Sequence, residues 1–467
     1  LVLLLAEAFA GHHQKRLIAW AAIGSLALVF AGLFFVAPHT GCECSLWQFY
    51  TDDKLALFYK GLALSCTIIV LVLGLEYQPV LEKFSARAGG GPAIGEFFCL
   101  PVFICAGMMW MASAVDITTI FLSLELTTIG FYVMVTYMRR NVGSLEAGVK
   151  YLILGALSTG FLVYGLTWLF GVTGQTSLSE ISRTLASGKV ESAPALFAFA
   201  LLLIAISFKV AAVPFHFWVP DVYQGAPTPV TGFMAICTKL AAVLATLRVF
   251  YVALGAERWS WQPIFAVLAA LTMVVGVVMA LVQTDIKRLL AYSSIAHAGF
   301  ILTALAGANQ IVRAGQTTSV ASILFYLIAY GFATIGAFGL VTMVRKAGGE
   351  ATSLAAWQGI GRSNPVVGVL MTLFALLVLL LGASGDALAH ASGPGPWPLV
   401  VSYGLAGFGY IVTATYLPLF VRDALGHIDP IHIWAAFGLG AAPSCFLWHA
   451  LHGRLGTRRT LALNLLV

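Results

Sequence analysis

Apolar residues run along this chain in blocks of about 20, broken by short clusters of Lys, Arg, Asp, Gly and Pro, with no sustained apolar-polar alternation. Blocks that long and that uniform are the pattern of helices crossing a bilayer, whose hydrocarbon core needs about 20 residues at 1.5 Å each. Such spans read at 16–37, 55–75, 97–113, 115–137, 147–171, 194–224, 229–253, 262–284, 289–307, 319–344, 364–384, 397–420 and 430–451, and the stretch 1–10 reads as the end of one more. The expected fold class is therefore all-α, a polytopic transmembrane bundle of about fourteen helices. The opening stretch has neither a charged lead nor a cleavage site, so it is not read as a signal peptide.

Composition agrees: 60% of the 467 residues are hydrophobic and 9% charged, where a soluble domain carries about 25% charge. Basic residues set the expected orientation. Loops after odd-numbered spans hold Lys15, Arg16, Lys83, Arg87, Arg139, Arg140, Lys287, Arg288, Arg345, Lys346, Arg362 and Arg422. Those after even-numbered spans hold Lys54, Arg183, Lys189, Arg258 and Arg313. The odd loops are thus assigned to the cytoplasm and both termini to the outer side, although Arg454, Arg458 and Arg459 in the tail weigh mildly against it. The net charge of +6 reflects this asymmetry and implies no nucleic-acid partner; membrane lipids surround the bundle.

Three ionisable residues sit well inside spans: Glu125 in ITTIFLSLELTTIGFYVMV, Lys209 in ALLLIAISFKVAAVPFHFW and Lys239 in TGFMAICTKLAAVLATLRVF. A charge at bilayer centre costs about 2.5–3.5 kcal/mol even on lenient scales, so three of them point to proton or ion movement. A lysine removed from water holds its proton less tightly, by up to about 3–5 pKa units. A carboxylate about 4 Å away opposes that with roughly 4 kcal/mol at an effective dielectric near 20. Moving such a pair together and apart therefore loads and unloads a proton. Pro214 lacks an amide donor and clashes with the preceding turn, which predicts a break just after Lys209. Broken backbone at membrane depth needs protein or a hydrated cavity around it. Trp218 and Tyr223 suit an interfacial belt, and Pro220, Gly225, Pro227 and Pro229 a turn.

Other polar positions have plainer readings. Asp116 suits a helix N-cap, and Lys287 and Arg288 beside Asp285 suit a cytoplasmic anchor. His297 stands one turn after Ser293 and Ser294, either as a proton relay or as a hydrogen-bonded core histidine. His216 either lines a cavity beside Pro214 or caps freed carbonyls. Glu125 and Lys209 alone also admit a purely structural ion pair. Cys42, Cys44, Cys66, Cys99, Cys105, Cys237 and Cys445 form no CxxC pair, and no phosphate loop or nucleotide fingerprint is present. Neither zinc, iron–sulfur nor nucleotide chemistry is expected in this chain.

The runs FKVAAVPFHFWVPDVYQGAPTPVTGF, TDIKRLLAYSSIAHAGF and LEAGVKYLILGALSTGFLVYGL resemble the antiporter-type, proton-translocating membrane subunits of respiratory complex I (NADH:quinone oxidoreductase), most closely their N-type branch, over roughly residues 95–345. The resemblance implies fourteen helices with two inverted five-helix repeats and two interrupted helices, one near Pro214. It implies N-terminal helices at 1–94, a first repeat at 95–253, a second at 254–425 that diverges near 380–400, and a last helix and tail at 426–467. It gives Glu125 as the partner of Lys209, Lys239 as the central lysine and His297 as a group on the polar axis between them and the exit. It also implies a translocase subunit of a bacterial inner membrane with K-like and M-like neighbours, while NAD, FMN, iron–sulfur clusters and quinone belong to partner subunits. The Mrp-type cation/proton antiporters share these charges and are the alternative, as is a structural subunit with an incomplete path.

One departure stands out. Where the family has a second Pro-interrupted helix with a glycine-rich break and an exit lysine, this chain reads MTLFALLVLLLGASGDALAHASGPGPWPLVV, without lysine or the paired prolines. Asp386 and His390 are the titratable groups there, with His390 either an exit group or an ordinary loop histidine. Divergence, altered coupling and a corrupted stretch are all compatible with this run.

Overall fold

The computed structural model describes residues 2–9, 15–36, 49–85, 94–188, 190–306, 319–346 and 349–374. All lie in the first of two compact units, 1–374. Asp386, His390 and the spans expected at 397–420 and 430–451 lie outside the described residues.

The chain forms α1 (Val2–Phe9), α2 (Lys15–Leu33), α3 (Lys54–Ser85), α4 (Gly95–Ser113), α5 (Ile117–Val135), α6 (Val142–Thr173), the short amphipathic α7 (Leu178–Ala186), α8 (Ser192–Val210), α9 (Trp218–Gly225), α10 (Thr228–Thr246), α11 (Arg258–Leu281), α12 (Ile286–Ala306) and α13 (Ser319–Met343). A two-stranded hairpin follows, β1 (Arg345–Lys346) against β2 (Gly349–Glu350), then α14 (Ile360–Ser363). Among the described residues ten helices are long and apolar enough to cross a membrane. The all-α class holds.

Local chemistry sets the boundaries. Asp116 begins α5 by accepting from the Thr118 amide at 2.7 Å, and Asn141 begins α6 in the same way through Gly143 at 3.0 Å, each satisfying a donor the helix cannot. Gly174, at φ 64°, ends α6 in the left-handed conformation that lacks a penalty only for glycine. The expected break after Lys209 is present: α8 stops at Val210, Ala211 takes φ 71°, and α9 starts at Trp218.

The freed groups are met by protein. Ala212 N–H donates to Ser207 O at 2.8 Å, the Trp218 indole to Phe208 O at 3.0 Å, and Val213 N–H to the Thr272 hydroxyl at 2.9 Å. This corrects the interfacial reading of Trp218 and Tyr223, which are 2% and 0% exposed. The broken helix supplies the Trp218 indole with the polar partner a headgroup would otherwise give, and its ring stacks on Tyr151 at 4.9 Å.

The core is built around α10, of which every residue except Thr238 is buried. It packs against α3, α4, α5, α8 and α13, so a lysine on it has no route to the lipid surface by snorkelling. Beyond Thr246 the helix widens into a π-helical turn, Leu247–Ala253, from which Arg248 pairs with Asp53 at 2.9 Å. Close approach of α11 and α12 depends on Gly276, where a Cβ would lie 2.6 Å from the Ala296 amide nitrogen.

The anchor reading of Lys287 is also corrected. Its side chain is fully buried and pairs with Glu350 of β2 at 3.0 Å, in the first turn of α12 that Asp285 caps through the Lys287 amide. Arg288 instead joins Asp221 at 2.6 Å.

Candidate functional site

Two polar clusters occupy the apolar interior, one on each side of α10. In the first, α5 carries Glu125 at mid-helix and α8 delivers Lys209 from its last turn, just before the break. Lys209 Nζ lies 3.4 Å from Glu125 Oε1 and donates to the Thr128 hydroxyl at 2.9 Å. Thr159 of α6 donates to the same Glu125 oxygen at 2.8 Å. The side chains of Lys209 and Glu125 are 10% and 15% exposed, so their attraction is poorly screened, about 5 kcal/mol at 3.4 Å and an effective dielectric near 20. Removal from water costs several kcal/mol per ion. The two opposing effects are of similar size, and a modest movement of either side chain shifts the balance.

A cavity of about 20 Å³ leads from Lys209 to α10, lined by Thr128, Tyr151, Lys209, Trp218 and Thr238 among others. It is large enough for one water, and Thr238 is the residue before Lys239.

The second cluster surrounds Lys239, 1% exposed. Its ammonium donates to Ser294 of α12 and faces the Tyr330 ring at 5.7 Å. Tyr330 of α13 donates to the same Ser294 oxygen at 2.9 Å. His297, three residues after Ser294, shares a hydrogen bond through Nδ1 with Tyr326, and its ring lies 4.9 Å from that of Tyr330. Among the described residues no carboxylate forms an ion pair with Lys239. Lys209 is thus charge-paired, and Lys239 is held by one hydroxyl and an aromatic face, an asymmetry suited to passing a proton from one to the other.

Glu125, Lys209, Lys239 and His297 are all buried or half-buried around α10, and Glu125 and Lys209 meet directly. The serine that served as His297's expected neighbour is held by Lys239 instead. His216 is buried, with no partner for Nδ1 among the described residues, and does not line this cavity. Sequence reading missed Thr128, Thr159, Tyr326 and Tyr330. Thr128 follows Glu125 by three and Tyr326 precedes Tyr330 by four, spacings that share a helix face. Nothing local marks Thr159. The free thiols of Cys66, Cys99, Cys105 and Cys237 are buried.

A family model described as NADH:quinone oxidoreductase/Mrp antiporter, transmembrane, matches residues 114–384, and one described as uncharacterised MFS-type transporter YbfB matches 365–467. A relative from a Nocardioides species, named NADH-quinone oxidoreductase subunit N, is 45% identical over 316 residues, 66% of this chain and 59% of the relative. Another of the same name, from Acidothermus cellulolyticus, is 38% identical over 445 residues, 90% of this chain and 84% of the relative. A solved structure titled respiratory complex I from Thermus thermophilus with bound aureothin contains a chain that superposes with a TM-score of 0.65 at 30% identity, covering 89% of this chain and 86% of that one. The chain spans about three fifths of the length of the first of these relatives.

Proposed function

Because this chain belongs to the subunit N family of NADH-quinone oxidoreductases, within the NADH:quinone oxidoreductase/Mrp antiporter group, we propose that it is a proton-translocating membrane-arm subunit of that enzyme. The observation that carries the reading is the row of buried groups across α10: Glu125 and Lys209 at 3.4 Å, a one-water cavity reaching Thr238, then Lys239, Ser294 and His297. Separation of Lys209 from Glu125 releases a proton toward Lys239, and reunion resets the lysine. NADH oxidation and quinone reduction belong to other subunits, with NAD, FMN, iron–sulfur clusters and quinone held there. Small K-like and antiporter-like M-like subunits flank it. The protein resides in the bacterial inner membrane with its Lys- and Arg-rich loops cytoplasmic and its termini outside.

The run 365–467 also matches an MFS-type model, while the Acidothermus relative aligns over 90% of the whole chain. Translocation through this chain is assigned to Glu125, Lys209, Lys239 and His297, within a first repeat at 95–253 and a second at 254–425 that diverges near 380–400. His390 is the exit alternative that His390→Ala tests: unchanged proton transport removes it.

Glu125→Gln tests the main reading. It deletes about 5 kcal/mol of attraction to Lys209 while retaining shape, so proton transport should fall severalfold in an assembled, reconstituted complex. Glu125→Asp, with its charge set back by one methylene, should fall less. Full transport by assembled Glu125→Gln would leave the pair merely structural.

A further inference from the structure

We infer that protons reach Lys239 from the face carrying the basic loops through a second buried ion pair, Lys287–Glu350, and the phenol of Tyr223. The inference rests on the proposed function and supplies its intake.

Lys287 lies in the first turn of α12, the positive end of the helix dipole, where a cation is disfavoured, and its side chain is 0% exposed. It is held by Glu350 Oε2 at 3.0 Å and by Ala226 O at 2.6 Å, in the turn joining α9 to α10. The other Glu350 oxygen accepts from the Thr228 amide at 3.0 Å and from the hydroxyls of Thr228 and Tyr77. The pair thus closes one end of the bundle where α3, α10, α12 and β2 meet. That end bears the basic loops: Arg345 donates to Glu76 O at 2.7 Å, and Arg140 N–H to Phe84 O at 2.9 Å.

Behind the pair, buried polar side chains continue inward. On α12, Ser294 follows Lys287 by seven residues on the same face, about 10 Å along the axis, and His297 follows Ser294. On α10, Thr228 and Thr231 precede Lys239, all buried. Tyr223 of α9 is 0% exposed, and its hydroxyl, which lies beside Ser294, has no hydrogen-bond partner within bonding geometry among the described residues. Ser294 Oγ already accepts from Lys239 and Tyr330. Its two lone pairs are engaged and its own proton is free to donate, with the Tyr223 oxygen the open acceptor beside it.

The ion pair has the properties of a gate. Glu350 lies outside the spanning helices; burial pushes its carboxyl up, and Lys287 with the Thr228 and Tyr77 hydroxyls outweighs burial and holds it below the ordinary carboxylate range. Withdrawal of Lys287 lets burial dominate, and the carboxylate then takes a proton from cytoplasmic water. Intervening water carries that proton to the Tyr223 oxygen as the Tyr223 O–H proton passes to Ser294 and the Ser294 proton passes to unprotonated Lys239 Nζ. Each hydroxyl ends with one proton, Lys239 has gained one, Glu350 has lost the one it took up, and rotation of the hydroxyls resets the chain.

The test uses the assembled complex in proteoliposomes, with quinone-linked electron transfer and lumen acidification followed together. Tyr223→Phe removes a hydroxyl that holds no packing contact in place by a hydrogen bond among the described residues, so assembly and electron transfer should persist while protons moved per electron fall by about tenfold or more, the scale of a lost proton-transfer group. Unchanged acidification overturns the phenol route. The charge-neutral double variant Lys287→Met/Glu350→Gln removes the gate without stranding either charge, and unchanged acidification by that variant overturns the gate. If the double variant fails to assemble, Tyr223→Phe decides alone. Lys239→Met serves as reference: normal acidification there refutes the proposed function itself. Loss there with normal Tyr223→Phe and normal double variant refutes only this intake.

Discussion

Lys239→Met separates stability from transport, because the structure lets both be worked out. An ammonium 1% exposed, with no carboxylate paired to it among the described residues, carries a burial cost of about 2.5–3.5 kcal/mol on the lenient scale. Against this stands its hydrogen bond to Ser294, about 1.5–3 kcal/mol for a charged donor. The Tyr330 ring at 5.7 Å adds about 0.5–1 kcal/mol. The contact to Ala235 O, at 3.5 Å, lies at the limit of useful geometry. Methionine fills similar space without charge, and Ser294 keeps its hydrogen bond from Tyr330. The variant should therefore assemble with stability within about 1–2 kcal/mol of the parent, yet lose most coupled proton transport. Assembly is read on native gels and by thermal unfolding in detergent, and transport by lumen acidification per electron in proteoliposomes. Normal acidification refutes the transfer role. Loss of the folded subunit refutes the energetics, since it would mean that Lys239 holds the bundle together.

Three further outcomes follow from the geometry. Thr159→Val removes the 2.8 Å hydrogen bond to Glu125, worth about 1.5–3 kcal/mol to a charged acceptor, and should slow transport less than Glu125→Gln does; an equal loss would contradict that order. Gly225→Ala places a Cβ 2.4 Å from Gly143 O, forcing α9 off α6, and should lower the thermal midpoint measurably; an unchanged midpoint refutes the close packing. The Glu350 carboxyl, held low by Lys287 against burial, contributes stability that is present above the ordinary carboxylate range and lost as pH falls through its depressed value. Hydrogen exchange at the β2 amides, corrected for intrinsic rate, should thus stay constant from about pH 8 to 5 and rise only in stronger acid; a rise already at neutral pH refutes the pairing.

Much of the site was legible because bilayer physics filters sequence severely: Glu125, Lys209 and Lys239 stand out against apolar neighbours, and Pro214 announces the break between α8 and α9. What defeated sequence reading was partnership. Lys287 looked like a surface anchor because it sits at a helix start among charges, and only the return of the hairpin after α13 brings Glu350 to it across 63 residues. Trp218 and Tyr223 looked interfacial because amphipathic rings usually are. The broken helix offers an interior carbonyl that a continuous helix would have kept for itself.

The sequence by itself determined the all-α membrane class, the break after Lys209 and which helices carry buried charge, because period, length and the cost of charge in hydrocarbon are local properties of the chain. Only the tertiary structure decided that Lys209 is matched to a carboxylate at 3.4 Å while Lys239 rests on the Ser294 hydroxyl and beside the Tyr330 ring. Those pairings join α5 to α8 and α10 to α12 and α13, and they depend on close packing around α10, which no single helix encodes.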